Sequence, residues 1–275
     1  MTWGIWGRNL SVKEMARRIS ENIEIGVSTF DHADIYGDYT TEEMFGKALQ
    51  ISNISRENIQ LISKCGIQLK NDKRGTSTKH YNYSSRYIIN QVETSLKNLN
   101  TEYLDLFLLH RPSPLMQVNG ITRAIEKLKN EGKIKSFGVS NFTPEQIKFI
   151  SSELYISTNQ IQCSLTHTKA FEDDSLFYHQ KKKIKTMAWS PFGKIFSINE
   201  NSELYILLNK LSEKYNCNAS QLALAWLLKH PAKICPVIGT TKTSRVKEAV
   251  ESLQINIELQ DWFELYEASR GREVE

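Results

Sequence analysis

At 275 residues, with 40% hydrophobic and 24% charged side chains, the chain can bury a sizeable core and has the make-up of a soluble globular protein. Its 35 basic and 31 acidic residues leave a formal charge of +4, too balanced to point to nucleic acid. The densest basic run, Lys181-Lys182-Lys183 with Lys185, reads as a solvated helix end. No apolar stretch approaches the roughly 18 residues needed to span a bilayer, and MTWGIWGRNL shows no secretory signal. Of four scattered cysteines, Cys65, Cys163 and Cys235 lie in or beside apolar runs and are expected to be buried thiols. A cytoplasmic protein without membrane or nucleic-acid partners is expected.

Short apolar runs then alternate with helical patterns along the whole chain. Residues 11–25 read as a helix with Ser11 as cap, Glu14 completing a capping box and Gly26 as stop. VSTFD (27–31) is a strand, Thr41 to Leu49 a helix and IQLISK (59–64) a strand. Ser84 to Leu99 places Ile88, Val92, Ser95, Leu96 and Leu99 on one helical face, and YLDLFLLH (103–110) follows as a buried strand. A helix around 120–131 stops at Gly132 before IKSFGVSN (134–141). Thr143 and Pro144 open the next helix. STNQIQC (157–163), KTMAWS (185–190) and KICPVIG (233–239) supply three more strands. This alternation predicts parallel βα units. Seven strands are clear, and an eighth exists only if Met1-Thr2-Trp3-Gly4 is the stub of a first one. Eight would close a barrel, whereas seven suit an open doubly wound sheet. No GxGxxG follows any strand, which counts against a Rossmann fold. With no Pro/Gly/Ser-rich linker and no short repeat, residues 1–275 read as a single domain.

Polar residues gather at the ends of the early strands: Asp31 and Tyr36 in FDHADIYG, Lys64 in IQLISKCG and His110 in YLDLFLLHRP. In a parallel barrel those ends converge on one rim, where catalysis sits. An Asp, a Lys and a Tyr in contact make a proton donor, because a nearby ammonium lowers a phenol's pKa. His32, directly after Asp31, points the other way along the strand and is expected to pack.

FDHADIYG, the strand-ending Lys64, LLHRP, GVSNF, NQIQC, AWSPFG and VIGTTKTSRVKEA, in this order, resemble the aldo-keto reductase family from residue 1 to about 250. The resemblance implies a (β/α)8 TIM barrel, here with the N-terminal hairpin absent and the first strand truncated. It implies an oxidoreductase using NADP(H) to reduce aldehyde or ketone carbonyls of small molecules. Tyr36 would be the general acid, Lys64 would stabilise its phenolate, Asp31 would orient Lys64, and His110 would hold the carbonyl oxygen. Ser140, Asn141 and Gln160 would hold the nicotinamide carboxamide, and Trp189 would stack on the ring. Ser190, Phe192 and Gly193 would cross the pyrophosphate. Thr240, Thr241, Lys242 and Arg245 would hold a 2′-phosphate, favouring NADPH, with Glu248 at the adenine and Ala249 where the family often has Asn. Trp3 and Trp6 would wall the substrate, and the polar segment 70–84 would either overhang the mouth and shape the pocket or simply connect strand to helix. Potassium-channel β subunits resemble the same family, so a nucleotide-binding regulatory sensor is the second reading. An inactive truncated relative is the third.

Overall fold

Helix starts show most directly how the local chemistry is set. Ser11 caps the helix Val12–Glu24: its hydroxyl accepts from the Glu14 N–H, and the Glu14 carboxylate accepts from the Ser11 N–H. Thr143 and Gln146 form the same reciprocal pair at Pro144–Ser151. So do Asn218 and Gln221 at Ala219–Leu228, a helix the sequence pattern had not singled out. Ser84 caps Ser85–Leu99, whose buried face is Ile88, Val92, Ser95, Leu96 and Leu99, as the periodicity predicts.

A computed structural model describes residues 2–275. Their contacts fall into two compact units, one running to Asn159 and including Gly239–Thr243, the other made of Gln160–Ile238 and Ser244–Glu275. In the first unit the strands are β1 (Thr29–Asp31), β2 (Gln60–Cys65), β3 (Ile67–Gln68), β4 (His80–Tyr81), β5 (Leu104–Leu109) and β6 (Ile134–Ser140). β1, β2, β5 and β6 lie side by side in that order, all parallel, while β3 and β4 make a separate antiparallel hairpin. Register sets Asp31 opposite Ile62 and Lys64 opposite Leu108. From Leu61 to Cys65 every residue of β2 is buried, as in parallel strands covered on both faces. That double cover explains why the sequence shows apolar runs rather than strict alternation.

β7 (Thr158–Gln162) begins in the first unit and ends in the second, which also holds β8 (Lys185–Trp189) and β9 (Cys235–Val237). β8 and β9 are parallel, with Met187 opposite Cys235. The second unit's core centres on Trp226 and Trp262, stacked 5.0 Å apart at 8°. Each indole N–H donates to the other residue's carbonyl, at 3.1 and 2.9 Å. Phe171 and Tyr266 pack around the pair.

The seven parallel strands are those the sequence suggests, but the strand stub expected at Met1–Gly4 is not among the described residues. Met1 lies outside them, and Thr2 to Leu10 curl into turns. Thr2, Trp3 and Gly4 direct their carbonyls to the N–H groups of Arg8, Leu10 and Gly7, which leaves them for no ladder. Cys65 and Cys163 are buried as expected, whereas Cys235 is exposed, because alternation along the chain turns Ile234 inward and its successor outward. No helix among the described residues is long and apolar enough to cross a membrane.

Candidate active site

In the first unit, Asp31 ends β1, Lys64 is the penultimate residue of β2 and His110 follows β5 directly. Tyr36 opens a short helical turn, Tyr36–Tyr39. Lys64 is 1% exposed, and its ammonium donates to Asp31 Oδ2 at 2.6 Å, the His32 carbonyl at 2.7 Å and the Tyr36 hydroxyl oxygen at 3.2 Å. These three bonds use all three of its protons. The Tyr36 phenol therefore accepts from Lys64 and keeps its own proton to donate elsewhere. The Tyr36 and His110 rings meet edge to face at 5.9 Å. His110 is buried, and its Nδ1 has no hydrogen-bond partner among the described residues.

The electrostatics keep both shared protons in place. Burial raises the Tyr36 pKa above its ordinary value, with Lys64 pulling it down. The sequence argument named only the ammonium's lowering effect; burial outweighs it, and the net shift is upward. For Lys64, burial acts downward, but Asp31 and Tyr36 outweigh it and the net shift is also upward. The resting pair is thus a neutral phenol and a charged ammonium. Burial, then Lys64 and Arg111, hold His110 well below the usual imidazole range, so it is neutral at pH 7.

Backbone strain presents Tyr36. Gly37, Asp38 and Tyr39 all have positive φ, at 60°, 51° and 67°, a run that costs two non-glycine residues about 1–2 kcal/mol each. The β3–β4 hairpin region holds it: Asn71 donates to Asp38 at 3.0 Å, the Leu69 N–H donates to the Tyr39 hydroxyl at 3.1 Å, and Arg74 lies 3.8 Å over the Tyr39 ring. Through Asn71 and Arg74, segment 70–84 braces the turn that carries Tyr36. His32 packs as expected, fully buried with its ring 4.3 Å from that of Phe45.

Trp3 packs in the core of the first unit. It is 5% exposed, sits among Phe30 and Phe45, and donates its indole N–H to the Thr240 carbonyl at 3.0 Å. Trp6 is 53% exposed. Ser140 is buried at the end of β6, where Asn141 Nδ2 donates to its hydroxyl at 2.7 Å and Arg111 Nη1 approaches it at 3.4 Å. Thr240 and Thr241 are half-buried and Lys242 is exposed, its N–H donating to Thr240 Oγ1 at 3.1 Å.

In the second unit, Gln160 is buried in β7 and Trp189, half-buried, ends β8. Ser190 and Gly193 both have positive φ and close one turn, the Gly193 N–H donating to the Ser190 carbonyl at 2.9 Å; Phe192 between them packs on the core. Arg245 is exposed in the first turn of the helix Thr243–Glu251, and Glu248 accepts from Asn218 Nδ2 at 3.2 Å. Two features escaped the sequence reading. Arg111, in the quoted LLHRP, sets a guanidinium beside His110 and Ser140. Asp34 and Glu42 are buried carboxyls near Lys64, both raised in pKa chiefly by burial. Asp34 was visible in FDHADIYG, but its burial depends on tertiary packing.

The model of the aldo/keto reductase family matches residues 1–270. An uncharacterized oxidoreductase, YcsN, of Bacillus subtilis is 39% identical over 99% of this chain and 93% of its own length. A 6-dehydroglucose reductase of Agrobacterium fabrum is 35% identical over 100% of this chain and 95% of its own. An aldo-keto reductase of Klebsiella pneumoniae, solved in complex with NADPH, superposes with a TM-score of 0.77 at 24% identity, covering 96% of this chain and 87% of that one. The chain belongs to the aldo/keto reductase family of oxidoreductases and has its (β/α)8 fold.

Proposed function

We propose that this protein reduces aldehyde or ketone carbonyls to alcohols with NADPH, Tyr36 acting as general acid. The observation that carries the reading is the Lys64 ammonium, whose three bonds to Asp31, His32 and Tyr36 leave the phenol's proton free for a substrate oxygen. When bound, NADPH would supply the hydride. As negative charge builds on the oxygen, Tyr36 gives up its proton and Lys64 stabilises the phenolate left behind. Neutral His110 donates a hydrogen bond to the same oxygen and orients it. Lys64 is the larger of the two cations that favour the Tyr36 phenolate, Arg111 adding to it and Asp31 opposing it.

The residues present suit the cofactor chemically. Ser140, Asn141 and Gln160 offer hydroxyl and amide groups that match a carboxamide's donor and acceptor. Trp189 offers an aromatic face. Ser190, Phe192 and Gly193 form a turn fit to run along a pyrophosphate. Thr240, Thr241, Lys242 and Arg245 pair hydroxyls with exposed cations at a helix start, a donor set suited to a 2′-phosphate. Glu248 is assigned to the adenine and Trp6 to the substrate wall.

The test is NADPH oxidation with a panel of aldehydes, ketones and 6-dehydroglucose, the last chosen for the name of the Agrobacterium fabrum relative. Tyr36→Phe is expected to lose at least about 100-fold in kcat while NADPH still raises its melting temperature. Near-wild-type turnover by Tyr36→Phe removes Tyr36 from the mechanism. NADPH binding without turnover of any carbonyl by the wild type favours the sensor reading.

A further inference from the structure

The chain leaves β2 through Gly66, whose φ of +117° is a conformation glycine adopts freely. A Cβ at Gly66 would stand 2.1 Å from the Tyr83 ring. The missing side chain is the space that ring occupies. Tyr83 is delivered there by the β3–β4 hairpin: Ile67 pairs with Tyr81, and the Asn82 N–H donates to the Gly66 carbonyl at 2.9 Å. Tyr83 is 8% exposed, and its hydroxyl reaches the backbone of Arg111. It donates to the Arg111 carbonyl at 2.6 Å and accepts from the Arg111 N–H at 3.2 Å. One side-chain oxygen thus satisfies both backbone groups of the residue that follows His110.

Two further facts make this latch consequential. The His110 N–H donates to the Cys65 carbonyl at 2.9 Å, the last such bond between this part of the chain and β2 among the described residues. Residue 112 is proline, which has no N–H to continue the pattern. The next backbone bonds, on Arg111, both go to Tyr83. Burial pushes the Tyr83 phenol above its ordinary range, so the hydroxyl keeps its proton at neutral pH. Arg111 in turn places Nη1 3.1 Å from the His110 carbonyl.

We propose that Tyr83 is a positioning residue: by bracketing the backbone of Arg111 it fixes the turn after β5, and through that turn the imidazole of His110 and the guanidinium of Arg111. The inference rests on the reading of His110 as the group that orients the substrate carbonyl. A buried tyrosine that merely packs would gain its place from its ring, and its hydroxyl would be expendable. Here both hydroxyl bonds go to the neighbour of His110.

Tyr87 provides the control, being a second largely buried phenol from the same stretch of chain whose hydroxyl meets Asp34 Oδ2 at 3.4 Å instead. Tyr83→Phe and Tyr87→Phe both keep the ring and remove one oxygen. The measurements are kcat, both KM values, melting temperature and the imidazole resonances of 15N-histidine-labelled protein, with His110 identified by its loss in His110→Gln. Tyr83→Phe is expected to lower kcat about 10- to 100-fold, leave the KM for NADPH unchanged and move the His110 resonances. Tyr87→Phe is expected to lower the melting temperature comparably and do neither. Wild-type kcat in Tyr83→Phe, or unmoved His110 resonances, overturns the proposal, as does an equal loss of kcat in Tyr87→Phe. Should the wild type turn over no carbonyl, a His110 shift confined to Tyr83→Phe supports the positioning while the reductase reading falls.

Discussion

Lys64 is almost wholly buried, and its charge is tolerated because Asp31 stands 2.6 Å away and is itself only 12% exposed. Removing one partner of such a pair leaves the other charge in a poorly solvated place, at a cost of about 3–5 kcal/mol. Lys64→Met is therefore expected to lose about that much stability in equilibrium urea unfolding, alongside its activity. A loss below about 1 kcal/mol would mean that Asp31 finds another partner or water, and that the ion pair is not what organises these strand ends. At this scale the sequence was most informative where a polar residue interrupts or ends an apolar run, as Asp31, Lys64 and His110 do. It was least informative where meaning depends on what lies opposite. Nothing in WGIWG separates Trp3, which the core absorbs, from Trp6, which stands open. Nothing in HYNYS announces that one tyrosine hydroxyl ends on Arg111.

Helix packing in the first unit turns on a close approach. The helix Thr41–Ser52 lies against Ser85–Leu99, and a Cβ on Gly46 would come within 2.1 Å of the Asn98 carbonyl oxygen and 2.8 Å of the Leu99 carbonyl carbon. Both are backbone atoms and cannot swing aside. Alanine is the better helix former by about 1 kcal/mol, yet overpacking at such a contact costs about 1–3 kcal/mol. Gly46→Ala is expected to be net destabilising in thermal or urea unfolding; a stabilised variant would show that the two helices part easily. Element identity was largely legible because caps and stops are local: Ser11, Gly132 and Thr143 act within one turn of where they stand. The β3–β4 hairpin was not legible. Its strands are two residues each, too short for any period, and the ladder depends on Tyr39, Asn71 and Tyr83 finding partners from outside.

Across the whole chain, buried ionisable groups pull acid stability in two directions. Burial holds His32, His110 and His179 below the ordinary imidazole range, His179 at about 4. The unfolded chain takes up these protons from about pH 6.5 downward, the folded chain only later, so this contribution is full above pH 6.5 and falls as pH drops. Asp34 and Glu42 act oppositely: burial raises them, so the folded chain keeps protons that the unfolded chain releases, and their contribution is greatest in acid. A single-site comparison isolates one part. His179→Gln is expected to lose about 2 kcal/mol less than the wild type between pH 7 and pH 5, read as the difference in urea-unfolding free energies. An unchanged difference would mean His179 protonates in place. At this scale the seven-strand count alone left barrel and open sheet both standing, since closure depends on strand register and strand tilt, which no run of residues records. The ordered series of family motifs, rather than periodicity, carried the choice.

The inward commitment of Lys64 also bears on how the acid is recharged. Under the proposed chemistry each turnover leaves Tyr36 one proton short. Passing the proton it shares with Tyr36 to the phenolate would leave a neutral amine beside the Asp31 carboxylate, which the upward shift of the Lys64 pKa opposes, so the ammonium acts as a fixed counter-charge and not as a relay. The replacement proton must come from the partly open side of Tyr36, the side the substrate oxygen occupies. Refilling therefore waits for the alcohol to depart.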